Sequence, residues 1–95
     1  MITAIVFVEA DVARIPEVAE QIASLDSVSE VYSVTGEIDL VAMVRVREHQ
    51  EVADVVADRL NKIEGVLRTQ THIAFRTFSK HDLEAAFALG AEDAD

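Results

Sequence analysis

Apolar positions along this chain alternate between strand-like runs and helical stripes, and each change of period marks an element. Ile2-Thr3-Ala4-Ile5-Val6-Phe7-Val8 is a β-branched run closed by Glu9-Ala10-Asp11, and its length suits a strand better than a helix. From Ile15 to Leu25 the residues Ile15, Val18, Ala19 and Ile22 recur at helical spacing, with Pro16 near the start, where its missing N–H does no harm. Val28 to Thr35 and Leu40 to Val46 read as two further strands, too close together for anything except an antiparallel hairpin. A second helical stripe, Val52, Val55, Val56, Leu60 and Ile63, predicts a helix from His49 to Lys62 that Gly65 ends. Val66 to Phe78 reads as a long fourth strand. Ser79-Lys80-His81-Asp82 then resembles a capping box before a short third helix, Leu83 to Phe87, closed by Gly90 and followed by an acidic tail, Ala91 to Asp95.

The order β-α-β-β-α-β is a split βαβ pair, and its halves echo each other: Leu25-Asp26-Ser27-Val28 before the second strand parallels Ile63-Glu64-Gly65-Val66 before the fourth. The predicted fold is α+β and ferredoxin-like, a four-stranded antiparallel sheet with both helices on one face. Right-handed crossovers put the first and third strands in the middle. The pattern agrees. The third strand is apolar on both faces (Leu40, Ala42, Val44, Val46 against Val41, Met43), as is the first (Ala4, Val6, Val8 against Ile5, Phe7), whereas the second and fourth mix in Glu30, Tyr32, Arg68, Gln70 and His72. With the helices on one face, the other apolar face lacks cover. Each such side chain left wet forfeits about 1.5–3 kcal/mol, against the roughly 5–15 kcal/mol of net stability of a small domain. A homodimer that buries sheet against sheet, a dimeric α/β barrel-like assembly, is therefore expected.

Composition narrows the function classes. At 95 residues, 51% of them hydrophobic but only 5% aromatic, the chain is one domain with an aliphatic core. Eighteen acidic against eight basic residues leave a formal charge of −10, which repels a phosphate backbone, so direct nucleic-acid binding is not expected. The absence of cysteine excludes disulfides, thiolate nucleophiles and Cys-based metal sites. No apolar run is long enough for a membrane span and no basic leader opens the chain, so the expectation is a cytoplasmic protein without membrane contact.

The chemistry-bearing stretch is Val34-Thr35-Gly36-Glu37-Ile38-Asp39-Leu40, where a glycine free to take positive φ and two carboxylates sit at a chain reversal. This stretch resembles the TG-x-x-D hairpin of the effector domain in the leucine-responsive regulatory protein/AsnC (Lrp/AsnC) family. Gly65-Val66-Leu67-Arg68-Thr69-Gln70-Thr71 is similar to that family's fourth-strand signature, a glycine-valine start followed by two threonines two apart. The resemblance runs from Met1 to about Phe78 and implies an Lrp/AsnC-type ligand-binding (RAM) domain over residues 1–90, with 91–95 a flexible acidic tail.

In the family this domain follows a helix-turn-helix, dimerises, assembles into octamers or similar rings and binds amino acids between dimers. Here no basic helical segment precedes the first strand, so the expectation is a stand-alone module that reaches transcription through a full-length Lrp/AsnC-type regulator. Ile38 departs from the pattern, since relatives often carry an aromatic residue there.

An α-amino acid needs an anionic acceptor for its ammonium near N–H donors for its carboxylate. By resemblance, Asp39 accepts the ammonium, the backbone around Gly36 meets the carboxylate, Thr69 and Thr71 add hydroxyls, and Thr35, Glu37 and Ile38 complete the wall. The bland alternative is that Asp39 and Thr35 merely hold the hairpin by side-chain to backbone bonds. His49, His72 and His81 have no metal-ligand spacing, no glycine-rich phosphate loop exists, and neither metal nor cofactor is expected. Arg45, Arg47, Arg68 and Arg76 read as edge charges, and the carboxylates of Glu17, Glu20, Glu51, Asp54 and Asp58 as solvated helix faces.

Two competitors stand beside this non-enzymatic sensing module. One is a small dimeric barrel enzyme, a cofactor-free monooxygenase or isomerase, with His72, Tyr32 and Asp39 as its acid–base candidates. The other is an assembly protein with an empty hairpin pocket.

Overall fold

Strand β1 (Ile2–Ala10) is followed by α1 (Ile15–Ala23), β2 (Val28–Ser33), β3 (Leu40–Val46), α2 (His49–Asp58) and β4 (Val66–Ile73), with single 3-10 turns at Val12–Arg14 and Leu60–Lys62. The computed structural model describes residues 1–80. The expected third helix and the acidic tail lie outside them.

The sheet runs in the order β2-β3-β1-β4, with every neighbouring pair antiparallel, so the two doubly apolar strands are central as their composition requires. Alternation then divides β1 cleanly. Ala4, Val6 and Val8 are fully buried and Ala10 nearly so, packed with Leu40, Ala42 and Val44 of β3 against Val18 and Ile22 of α1, Val52 and Val55 of α2, and Leu60. The residues between them, Ile5 and Phe7, face the other way and pair across the ladder with Met43 and Val41; all four are only partly buried. The described residues beyond β4 give that face no roof, since Phe75 and Phe78 are 97% and 77% exposed.

Besides two-residue shifts at the ends of β1, which runs on to Ala10, and of α1, which stops at Ala23 rather than Leu25, three boundaries differ from the sequence expectation, each for a local reason. β2 stops at Ser33 rather than Thr35, because β3 starts at Leu40 and Ser33 is its partner. The second helix stops at Asp58 rather than Lys62: Arg59 leaves helical geometry at φ −121°, ψ −59°, and one 3-10 turn brings the fully buried Leu60 into the core. β4 ends at Ile73 rather than Phe78 because its partner runs out: Ile73 pairs with Ala4, and Ala74 N–H reaches the Thr3 carbonyl at 2.9 Å.

Gly65 joins the helical layer to β4 in a conformation open chiefly to glycine. Its φ is +102°, and a Cβ there would lie 2.7 Å from Val18 Cγ2, inside the packing of α1 on the sheet. Its carbonyl also accepts the Asp11 N–H at 2.8 Å.

Candidate functional site

The Val34–Asp39 connection between β2 and β3 is held from three directions. Val34 N–H donates to the Asp39 carbonyl (3.1 Å), Asp39 N–H donates to the Val8 carbonyl (3.0 Å), and the Ala10 N–H donates to Asp39 Oδ2 (2.8 Å). The last bond explains why an acid stands at this position. β3 has turned away by Ala10, and the β1–β4 register shifts between Glu9 and Ala10, so the carboxylate carries the ladder one step beyond its backbone partner. Ala10 is 3% exposed, and an unpaired amide there would cost about 1–3 kcal/mol. Gly36, at φ +112°, turns the chain at the tip; a Cβ at this position would meet nothing within 4 Å, so the requirement for glycine is conformational alone.

Fixing the corner to the end of β1 sets Glu37 and Ile38 over the open sheet face. There they line a cavity of about 110 Å³ together with Phe7, Glu9, Arg68, Thr69 and Gln70. The floor follows from register: Phe7 pairs with Gln70 and Glu9 with Arg68, all four on the face away from the helices. Arg68 Nε donates to Glu9 Oε2 at 3.0 Å, and Nη2 reaches the same oxygen. The cavity therefore holds two carboxylates and one guanidinium against an apolar wall of Phe7 and Ile38.

The structure brings some of the expected site residues together and separates others. Glu37, Ile38 and Thr69 line the cavity; Thr35, Gly36 and Asp39 belong to the corner beside it. Thr69 donates its hydroxyl hydrogen bond to Asn61 Oδ1 at 2.8 Å, and its cross-strand partner is the buried Val8, so the hydroxyl lies on the helix side of the sheet. Thr71, opposite the buried Val6, shares that side and does not line the cavity. Phe7, Glu9, Arg68 and Gln70 are site residues that the sequence does not single out. The signal that could have found them is the alternation of β4, which puts Arg68, Gln70 and His72 on one face and the threonines on the other.

Around the cavity the open face carries polar side chains at both edges. His72 meets Phe7 edge-on, with ring centroids 5.1 Å apart. Tyr32, on β2, is hydrogen-bonded to Glu30; that bond, with the charge of the Glu30 carboxylate, holds the phenol above the usual tyrosine pKa, and Arg45 opposes the shift. Among the described residues no group of three or more His, Asp or Glu side chains could hold a metal, and no helix is long and apolar enough to cross a membrane.

Comparison with known proteins bears directly on this arrangement, because the model of the Lrp/AsnC ligand binding domain matches residues 3–83. The chain belongs to the Lrp/AsnC family. An uncharacterized HTH-type transcriptional regulator of Pyrococcus horikoshii is 46% identical to this Lrp/AsnC domain over 61 residues, 64% of this chain and 41% of the regulator. The chain spans between 41% and 49% of the length of the curated relatives it matches. The crystal structure of TTHA0845 from Thermus thermophilus superposes with a TM-score of 0.80 at 46% identity, covering 84% of this chain and 100% of that one. A feast or famine regulatory protein from M. tuberculosis, solved in complex with L-methionine, aligns with a TM-score of 0.70 at 26% identity, over 84% of this chain and 54% of that one. The relatives are transcriptional regulators, and the four-stranded antiparallel sheet with two helices is the fold shared with the solved structures.

Proposed function

We propose that this Lrp/AsnC domain is a non-enzymatic amino-acid sensor whose output is its own assembly, acting in the cytoplasm on transcription. The observation that carries the reading is the cavity under the Thr35–Asp39 corner, which offers carboxylates for an ammonium and a guanidinium for a carboxylate within one small space. The methionine complex of the M. tuberculosis relative supports the ligand class. In this reading the second oxygen of Asp39 and the backbone around Gly36 also meet the ligand, while Oδ2 stays on Ala10.

The assembly half rests on the open face of the sheet. Ile5, Phe7, Val41 and Met43 form an apolar patch at its centre, and a second copy of the same face is the complementary surface, giving a homodimer that builds further into a ring. A charge of −10 repels a phosphate backbone, so in this reading contact with DNA is made by a DNA-binding member of the family with which the domain associates. An enzyme reading finds its acid–base candidates held apart by the fold. His72 and the Tyr32–Glu30 pair sit on opposite edge strands, about 14 Å apart at the usual strand spacing, and Asp39 is committed to a structural bond.

Calorimetry with each of the twenty amino acids, paired with sedimentation of the free and saturated protein, tests the proposal. Binding of at least one amino acid with a change in assembly is expected. Silence across all twenty, with an unchanged mass, would overturn it.

A further inference from the structure

We infer that the Glu9–Arg68 ion pair is the receptor for the α-amino acid head group, the two side chains exchanging each other for the ligand's ammonium and carboxylate. This deepens the sensor reading and rests on it. The pair stands on cross-strand neighbours at the cavity floor, so the two charges are presented at a spacing set by the sheet ladder rather than by flexible loops. Arg68 Nε and Nη2 both donate to one oxygen of Glu9, which takes one edge of the guanidinium and leaves its Nη1–Nη2 edge to engage an incoming carboxylate in the bidentate way a guanidinium favours.

Opening the pair costs little. In the single chain the Arg68 side chain is 77% exposed and that of Glu9 33%, so the pair is largely solvated there and contributes little to the stability of the fold. A zwitterion replaces the broken pair with two new ones and leaves no charge unmatched at this position. Glu37 on the rim adds a second carboxylate on the ammonium side.

Size limits what this half-site reads. At about 110 Å³ the cavity is small and open on one side, and its charged groups stand where they meet the head group. The α-carbon substituent therefore projects out of the cavity, and discrimination among amino acids falls to whatever closes over the open face. Arg68 and Glu9 set the requirement for an α-amino acid as such.

The test uses the whole chain and calorimetric titration of the twenty amino acids, with L-methionine, L-methioninamide and N-acetyl-L-methionine in parallel. Arg68→Met and Glu9→Gln are expected to weaken every amino acid that wild type binds by about ten- to a hundred-fold, the weight of a lost charge-assisted hydrogen bond. Their thermal midpoints should match wild type, as exposed side chains allow. The amide and the N-acetyl compound should bind no tighter to wild type than L-methionine does to the variants. The Arg68 Nε–H resonance, bonded to Glu9 in the free protein, should shift on saturation with the tightest-binding amino acid of the set. If wild type binds an amino acid and both variants bind it within two-fold, the exchange is overturned while sensing stands. If wild type binds none of the twenty, the sensor and the exchange fall together.

Discussion

The two faces of one sheet in this domain use the same kinds of side chain to different ends. On β1, Ala4, Val6 and Val8 are fully buried beneath α1 and α2, while Ile5 and Phe7, their immediate neighbours in sequence, are only partly covered. On β3 the same split separates Leu40, Ala42 and Val44 from Val41 and Met43. Among the described residues the covered face includes no buried polar or charged side chain, whereas the open face mixes its apolar centre with Glu9, Arg68, His72, Tyr32 and Glu30 at its margins. A face that only had to be kept dry would not need those groups. The covered side holds the domain together, and the open side is the one that the proposed assembly and ligand would use.

Mutations can break or sharpen that contrast. Leu40→Ala removes a fully buried side chain and should cost about 2–5 kcal/mol; Val41→Ala, next to it on the open face, should change the unfolding free energy of a dissociated chain by less than about 1 kcal/mol. Equal effects in denaturant titrations at low protein concentration would erase the distinction. The two left-handed glycines offer a second contrast. Gly65→Ala adds a clash with Val18 to backbone strain and should lose about 2–4 kcal/mol, against about 1–2 kcal/mol for Gly36→Ala at the open corner, both read as shifts in the urea midpoint.

Asp39 joins the two sides, and its variants separate its roles. Asp39→Ala should destabilise the domain by about 1–3 kcal/mol by orphaning the Ala10 N–H, whereas Asp39→Asn retains an acceptor and should cost less than half as much. Amide exchange at Ala10 reports the difference directly. The smallest expected effect is electrostatic. With Glu30 holding the Tyr32 phenol protonated to higher pH, Glu30→Gln should move the tyrosinate absorbance transition to lower pH, and a transition that stays put would remove Glu30 from the account.

How far the chain can be read without its structure follows the same division. The covered face is legible, since strand and helix periodicities place Val18, Ile22, Val52, Val55 and Leu60 opposite β1 and β3, and double hydrophobicity orders the strands. Boundaries set by a partner's length are not legible. Nothing in Thr77 or Phe78 says that β1 begins at Ile2 and that β4 must stop where it does. At the site, the glycine and carboxylates of the corner stand out, because positive φ and a turn acid are local properties. The cavity floor does not, because Glu9 and Arg68 are 59 residues apart and meet only through the β1–β4 register. The bulge at Glu9/Ala10, which gives Asp39 its backbone partner, likewise has no mark in either segment alone.

The most direct test of the open face is sedimentation equilibrium of wild type beside Met43→Asp at micromolar concentration. Met43 lies at the centre of that face, where a charge spoils contact with a second copy without touching the covered core. Wild type is predicted to sediment as a dimer or a multiple of it, and the folded variant near the 10.4 kDa of one chain. A wild-type particle of 10.4 kDa, indistinguishable from the variant, would contradict the account.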